Sequence, residues 1–150
     1  GIGNMVQALR DGEMPLETFA DGVAVTDLRL QSARETVGQI VDAGGEARAY
    51  AMDVADPARV RHALAEIQHE LGNPSILVNN AGCNVRKPSV EVTWDDWNLV
   101  LDTNLRGTFF VAQAMARKMI PRRYGKIINI GSVTSVFGIW NCFSSFASSR

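Results

Sequence analysis

The chain has 150 residues, 15 Lys+Arg against 16 Asp+Glu, a formal net charge of −1, 46% hydrophobic residues and 21% charged ones. That balance suits a globular domain and gives no general pull toward nucleic acid or an anionic membrane, and no apolar run is long enough to span a bilayer. The two cysteines, Cys83 and Cys142, have neither metal-ligand nor redox spacing, which leads us to expect free thiols in a reducing, cytoplasmic setting.

In chain order, "GVAVTD" (Gly22–Asp27) is a short Val-rich run and predicts a buried strand. "RLQSARETVGQIVDAGG" follows, with Leu30, Ala33, Val37, Ile40 and Val41 at helical spacing and Gly44-Gly45 as a stop. "EARAYAMDV" predicts a second strand, and "PARVRHALAEIQHELG" a second amphipathic helix. Pro57 stands in that helix's first turn, Val60, Leu64, Ile67 and Leu71 share one face, and Gly72 ends it. "SILVNNAG" predicts a third strand running into a glycine turn. One long helix is expected from Thr93 to Ile120, with Thr93 and Asp96 spaced as a capping box. Arg117, Lys118, Arg122 and Arg123 crowd its C-terminal end, where cations favour the helix dipole. "GKIINIGS" predicts a fourth strand.

Apolar strands alternating with amphipathic helices imply a doubly wound α/β fold with a parallel sheet. Ligands on such sheets bind beyond the C-terminal strand ends. The residues at those ends are Asp27, Asp53, Asn79 to Gly82, and Ser132.

Three of these stretches, in this order, carry a likeness to a known family. "NNAG" (Asn79–Gly82), "LDTNLRGTFF" with Asn104, and "GKIINIGS" with Ser132 resemble the motifs of the short-chain dehydrogenase/reductases. Any one would be weak; three in sequence on the expected elements are specific. The likeness runs from about Asp21 to Gly138 and more weakly to both ends. "NNAGCNVRKPSVEVTWDDW" resembles the sugar-acid and polyol dehydrogenases most. The resemblance implies a Rossmann-type fold, a nicotinamide cofactor, and hydride exchange with a small-molecule alcohol or carbonyl. It also implies a homo-oligomer, with the long helix contributing to the dimer face.

The residues divide by role. A carboxylate at the end of the first predicted strand, Asp27, can accept both adenosine ribose hydroxyls and would repel a 2′-phosphate, so NAD is expected over NADP, with Arg29 able to soften that preference. By resemblance, Asp53 and Val54 sit against the adenine, and Asn80, Ala81 and Gly82 against the adenosine half. A side chain at Gly82 would hold the backbone off the cofactor. Gly1, Ile2 and Gly3 look like the end of the family's TGxxxGxG phosphate loop.

For the chemistry, the family uses Asn, Ser, Tyr and Lys. Asn104 and Ser132 match the first two. The family's YxASK falls on Phe146-Ala147-Ser148-Ser149-Arg150, so Phe146 stands at the Tyr position and Arg150 at the Lys position. Phe has no proton to exchange, and Arg lacks the compact ammonium. Tyr50 and Tyr124 are placed by their strands where neither can substitute. In the family's 3-2-1-4-5 strand order the first strand is central, and this chain begins after it, so an incomplete sheet is expected. The expectation is therefore a single partial NAD(P)-binding domain over 1–150 with impaired catalysis. A non-catalytic fragment that binds a nucleotide or a partner chain remains open beside it.

Overall fold

The computed structural model describes residues 22–132, which fall into two compact units: 22–53 with 62–73, and 54–61 with 74–132.

In the first unit, strand β1 (Val23–Asp27) pairs in parallel with β2 (Ala47–Ala51), Val23 opposite Ala47 and Asp27 opposite Ala51. Helix α1 (Leu30–Asp42) makes the crossover that a parallel pair requires. Asp27 starts it: its Oδ1 accepts the Arg29 N–H at 2.8 Å, turning the chain out of the strand. Ala33 and Ile40 are buried, as their spacing predicts, whereas Val41 is exposed. The helix stops where predicted, with Gly44 in the left-handed region (φ +87°) and the Gly45 N–H on the Ile40 carbonyl at 2.9 Å.

Helix α2 (Pro57–Leu71) begins with Asp56, whose Oδ1 accepts the N–H groups of Ala58 (2.7 Å) and Arg59 (3.2 Å). Val60, Ala63 and Ile67 are buried. In the first unit the buried Tyr50 donates its hydroxyl to Glu70 Oε2 at 3.0 Å, and Arg48 Nη1 donates to the same oxygen at 2.9 Å. Burial, reinforced by the bond to the Glu70 carboxylate, pushes the Tyr50 hydroxyl up to about 12. A catalytic tyrosine needs the opposite shift, so Tyr50 is a packing residue, in keeping with its place inside a strand.

In the second unit, β3 (Ile76–Asn79) pairs in parallel with β4 (Lys126–Asn129), Ile76 opposite Lys126 and Asn79 opposite Asn129. The crossover is helical from Trp94 onward: α3 (Trp94–Leu101), a π-helical segment (Asp102–Gly107), and α4 (Thr108–Met119). The capping box is present: Thr93 Oγ1 accepts the Asp96 N–H, and Asp96 accepts the Thr93 N–H. Val100, Val111, Met115 and Met119 are buried. Of the terminal cations, Arg122 does more than face the helix dipole. Its Nη2 donates to the Pro74 carbonyl at 2.7 Å and its Nε to that of Lys118 at 3.2 Å, tying the helix end to the approach of β3.

Two expectations need correction. The long helix is not uniform, because Asp102–Gly107 is wound as a π-helix, for the reason given below. The first strand, expected to be buried, is half-buried along its whole length, and the fourth is more open still: Ile127, Ile128 and Ile130 are 40%, 46% and 54% exposed. A parallel strand is buried only when helices cover both faces, and β4 is the last described strand, so whatever follows it lies outside residues 22–132.

The expected α/β class with parallel pairing is present. The described strands form two separate ladders, β1–β2 and β3–β4, and no described strand pairs β1 with β3.

Candidate functional site

Gly1, Ile2, Gly3, Phe146 and Arg150 lie outside the described residues. The other candidates group at the C-terminal strand ends, separately in each unit.

In the first unit, Asp27 closes β1. The Met52 N–H donates to the Asp27 carbonyl at 2.9 Å, so Asp53 follows at the same end of the paired strand. A carboxylate has several acceptor sites, so Asp27 can start α1 through Arg29 and still accept hydroxyl protons.

In the second unit, parallel pairing in register brings Asn80–Gly82 and Ser132 to the same sheet edge, since both follow the Asn79–Asn129 pair. Asn79 Nδ2 donates to Asn129 Oδ1 (2.9 Å) and to the Thr108 carbonyl (3.3 Å). Asn79 is thus a strand tie, while Asn80, Ala81 and Gly82 beyond it are exposed. Asn104 reaches back to this turn. Its Oδ1 accepts the Cys83 N–H at 2.8 Å and its Nδ2 donates to the Cys83 carbonyl at 2.9 Å.

That two-way bond accounts for the π-helical turn. Within the segment, Asn104 ties it to Cys83. At its C-terminal end, the buried Gly107 lies so close to Val54 that a Cβ there would stand 2.8 Å from Val54 Cγ2. Both anchors keep the wider turn, a conformation that is rare and concentrated at functional sites.

A second tie holds the loop after Gly82. Asp96 accepts from Lys87 Nζ (2.5 Å), Thr93 Oγ1 (2.7 Å) and the Thr93 N–H (2.9 Å). The Lys87 ammonium, followed by the Thr93 donors, holds the Asp96 carboxyl down at about 2. A carboxylate whose folded value lies below its ordinary value of roughly 4 binds fewer protons when folded. Its contribution to stability is full above that ordinary value and is lost as pH falls toward 2. Lys87→Met is therefore expected to shrink the loss of stability between about pH 4 and pH 2, measured by urea unfolding at fixed pH steps. An acid limb unchanged in the variant would rule the tie out.

Sequence reasoning did not find Lys87, Thr108 or Asn129. For Asn129 a signal was present: "ILVN" and "KIIN" each end an apolar run on Asn, and parallel pairing puts those ends side by side. Lys87 and Thr108 carry no such signal, because their partners depend on loop and π-helix geometry.

A model of the family described as short chain dehydrogenase matches residues 16–150. The chain belongs to that family. Among similar enzymes, gluconate 5-dehydrogenase of Gluconobacter oxydans is 45% identical over 92 residues, 61% of this chain and 36% of that enzyme. Sorbitol dehydrogenase of Cereibacter sphaeroides is 41% identical over 111 residues, 73% of this chain and 42% of that enzyme. Among solved structures, a gluconate 5-dehydrogenase from Burkholderia cenocepacia in complex with NADP and tartrate superposes with a TM-score of 0.80 at 36% identity. An NAD+-bound xylitol dehydrogenase superposes with a TM-score of 0.83 at 28% identity. Each superposition covers 99% of this chain and 56% of the other. The chain thus spans less than half the length of these two curated relatives and just over half of these solved chains. The Rossmann-type fold of the short chain dehydrogenases is confirmed, and both nicotinamide cofactors occur among its neighbours. No described helix is long and apolar enough to cross a membrane.

Proposed function

We propose that this short chain dehydrogenase retains a nicotinamide dinucleotide site, with NAD preferred over NADP, and is impaired in hydride transfer. Its substrate class is a sugar acid or polyol alcohol and the matching carbonyl, and both units are parts of one NAD(P)-binding domain.

The observation that carries the reading is at Gly82. A Cβ there would meet only Asn104 among described residues, Oδ1 at 3.4 Å, an ordinary contact, and Gly82 has no positive φ. Packing among the described residues would accept alanine and gives no reason for glycine, whereas close approach of a ligand to the backbone gives one. An exposed turn at a C-terminal strand end, with Ser132 at the same edge, fits such a ligand. In this reading Asp27 accepts the ribose hydroxyls, Asp53 and Val54 flank the adenine, Asn80, Ala81 and Gly82 line the adenosine half, and Gly1, Ile2 and Gly3 adjoin the phosphates. When bound, the cofactor supplies the hydride acceptor or donor. Ser132 hydrogen-bonds the substrate oxygen. Asn104 positions rather than titrates, since both ends of its amide are engaged by Cys83.

Impairment follows from Phe146 and Arg150, which stand at the family's Tyr and Lys positions. A missing general acid–base costs about 10²–10⁴-fold in rate. Leu99, Leu105, Phe109 and Phe110 leave exposed apolar surface along α3, the π-helical segment and α4, through which association with a second copy is proposed.

Calorimetry of the 150-residue chain with NAD and with NADP, paired with turnover assays on polyols and sugar acids, tests both halves. Binding of NAD, more weakly of NADP, without turnover is expected. Absence of binding to either nucleotide would sink the cofactor site, and measurable turnover would sink the impairment.

A further inference from the structure

We propose that Thr108 is a positioning residue that couples the Asn104–Cys83 tie to the β3–β4 strand pair. Thr108 uses its hydroxyl and its carbonyl across this junction. Its Oγ1 donates to the Asn104 carbonyl at 2.8 Å, and its own carbonyl accepts Asn79 Nδ2 at 3.3 Å. The hydrogen bonds form one continuous path within the second unit. It runs from Asn129 Oδ1 to Asn79 Nδ2, to the Thr108 carbonyl, through the Thr108 hydroxyl to the Asn104 carbonyl, and through the Asn104 amide to both backbone groups of Cys83.

A Thr hydroxyl on the carbonyl four residues back is common on helices and bends them slightly. Here it falls where the chain leaves a π-helical segment, on the carbonyl of the residue whose side chain holds the glycine turn. The Thr108 hydroxyl supplies that carbonyl with a donor as the helix winding changes. Its carbonyl meanwhile receives a side-chain donor from the strand that leads into the turn. The position of the Cys83 backbone, and with it Gly82, is thereby set from both of its flanks.

The inference rests on the cofactor reading only in assigning a use to the Gly82 turn; the coupling is read without any ligand. The test is amide hydrogen exchange in the 150-residue chain, with Thr108→Val and Thr108→Ser compared. Val keeps the shape and β-branching of Thr but not the hydroxyl; Ser keeps the hydroxyl. Thr108→Val is expected to speed Cys83 N–H exchange by about tenfold, with the Val25 N–H in β1 unchanged, and Thr108→Ser to restore protection. Asn129→Leu, which removes the acceptor for Asn79, is expected to act in the same direction and serves if Thr108→Val does not fold. Unchanged Cys83 exchange in the folded variants, or equal acceleration by Ser and Val, would overturn the coupling. Accelerated exchange with unaltered NAD affinity would support the coupling and overturn the cofactor use of the turn.

Discussion

Asn104→Asp is expected to destabilise the chain by about 1–3 kcal/mol and to weaken NAD binding more than tenfold. Donor count sets the sign of both effects. Asn104 presents an acceptor to the Cys83 N–H at 2.8 Å and a donor to the Cys83 carbonyl at 2.9 Å. Asp matches Asn in shape but has no donor when ionised, so an anionic oxygen would face a carbonyl oxygen at hydrogen-bond distance. One contact, to the N–H, is strengthened by charge, and the other turns repulsive. The amide site is half-buried, so water cannot fully separate the two oxygens, and relief requires the π-helical segment or the Cys83 backbone to move. Either movement displaces Gly82, whose hypothetical Cβ has the Asn104 side chain as its only described neighbour. Thermal unfolding and nucleotide calorimetry measure the two effects. A variant as stable as the parent, with equal NAD affinity, would show that the tie is incidental.

What could be read from the residues, and what could not, follows one physical division. Local signals were legible. The capping box of Thr93 and Asp96 and the glycine stops after α1 and α2 act within a few residues of chain, and each lies where its sequence places it. Parallel pairing was legible too, because strands that alternate with helices leave few topologies. The π-helical segment was not, since nothing in "DTNLRG" alone favours it over an α-helix. It depends on Cys83, 21 residues before Asn104, and on Val54, still earlier in the chain. The exposure of β4 was likewise illegible. "KIIN" has the composition of a buried strand, and burial is decided by what packs on it. Among the candidate residues, Asp27 was picked out by its place at a strand end and Gly82, Asn104 and Ser132 by motifs, whereas Asn104's use as a two-way backbone clamp appears only in the geometry.

Gly107→Ala and Gly38→Ala are expected to change stability in opposite directions, though both replace a helical glycine. By propensity alone, each alanine gains up to about 1 kcal/mol. At Gly38, within α1, an added Cβ meets no described atom within 4 Å beyond the helix's own backbone, so that gain should appear almost whole. At Gly107 the Cβ would stand 2.8 Å from Val54 Cγ2, 3.0 Å from Val54 Cβ and 3.0 Å from the Val54 carbonyl oxygen. A rotamer change could move Cγ2, but Cβ and the carbonyl belong to a fixed frame, so backbone must shift. Forcing a methyl into a closed contact costs about 1–3 kcal/mol, which exceeds the propensity gain and makes the net effect destabilising. The shift falls on Val54, a residue proposed to flank the adenine, so NAD affinity should drop in Gly107→Ala and hold in Gly38→Ala. Urea unfolding and nucleotide calorimetry of the two variants side by side decide the matter. Stabilisation by both would mean that Gly107 and Val54 are not in closed contact, and would remove one of the two anchors of the π-helical turn.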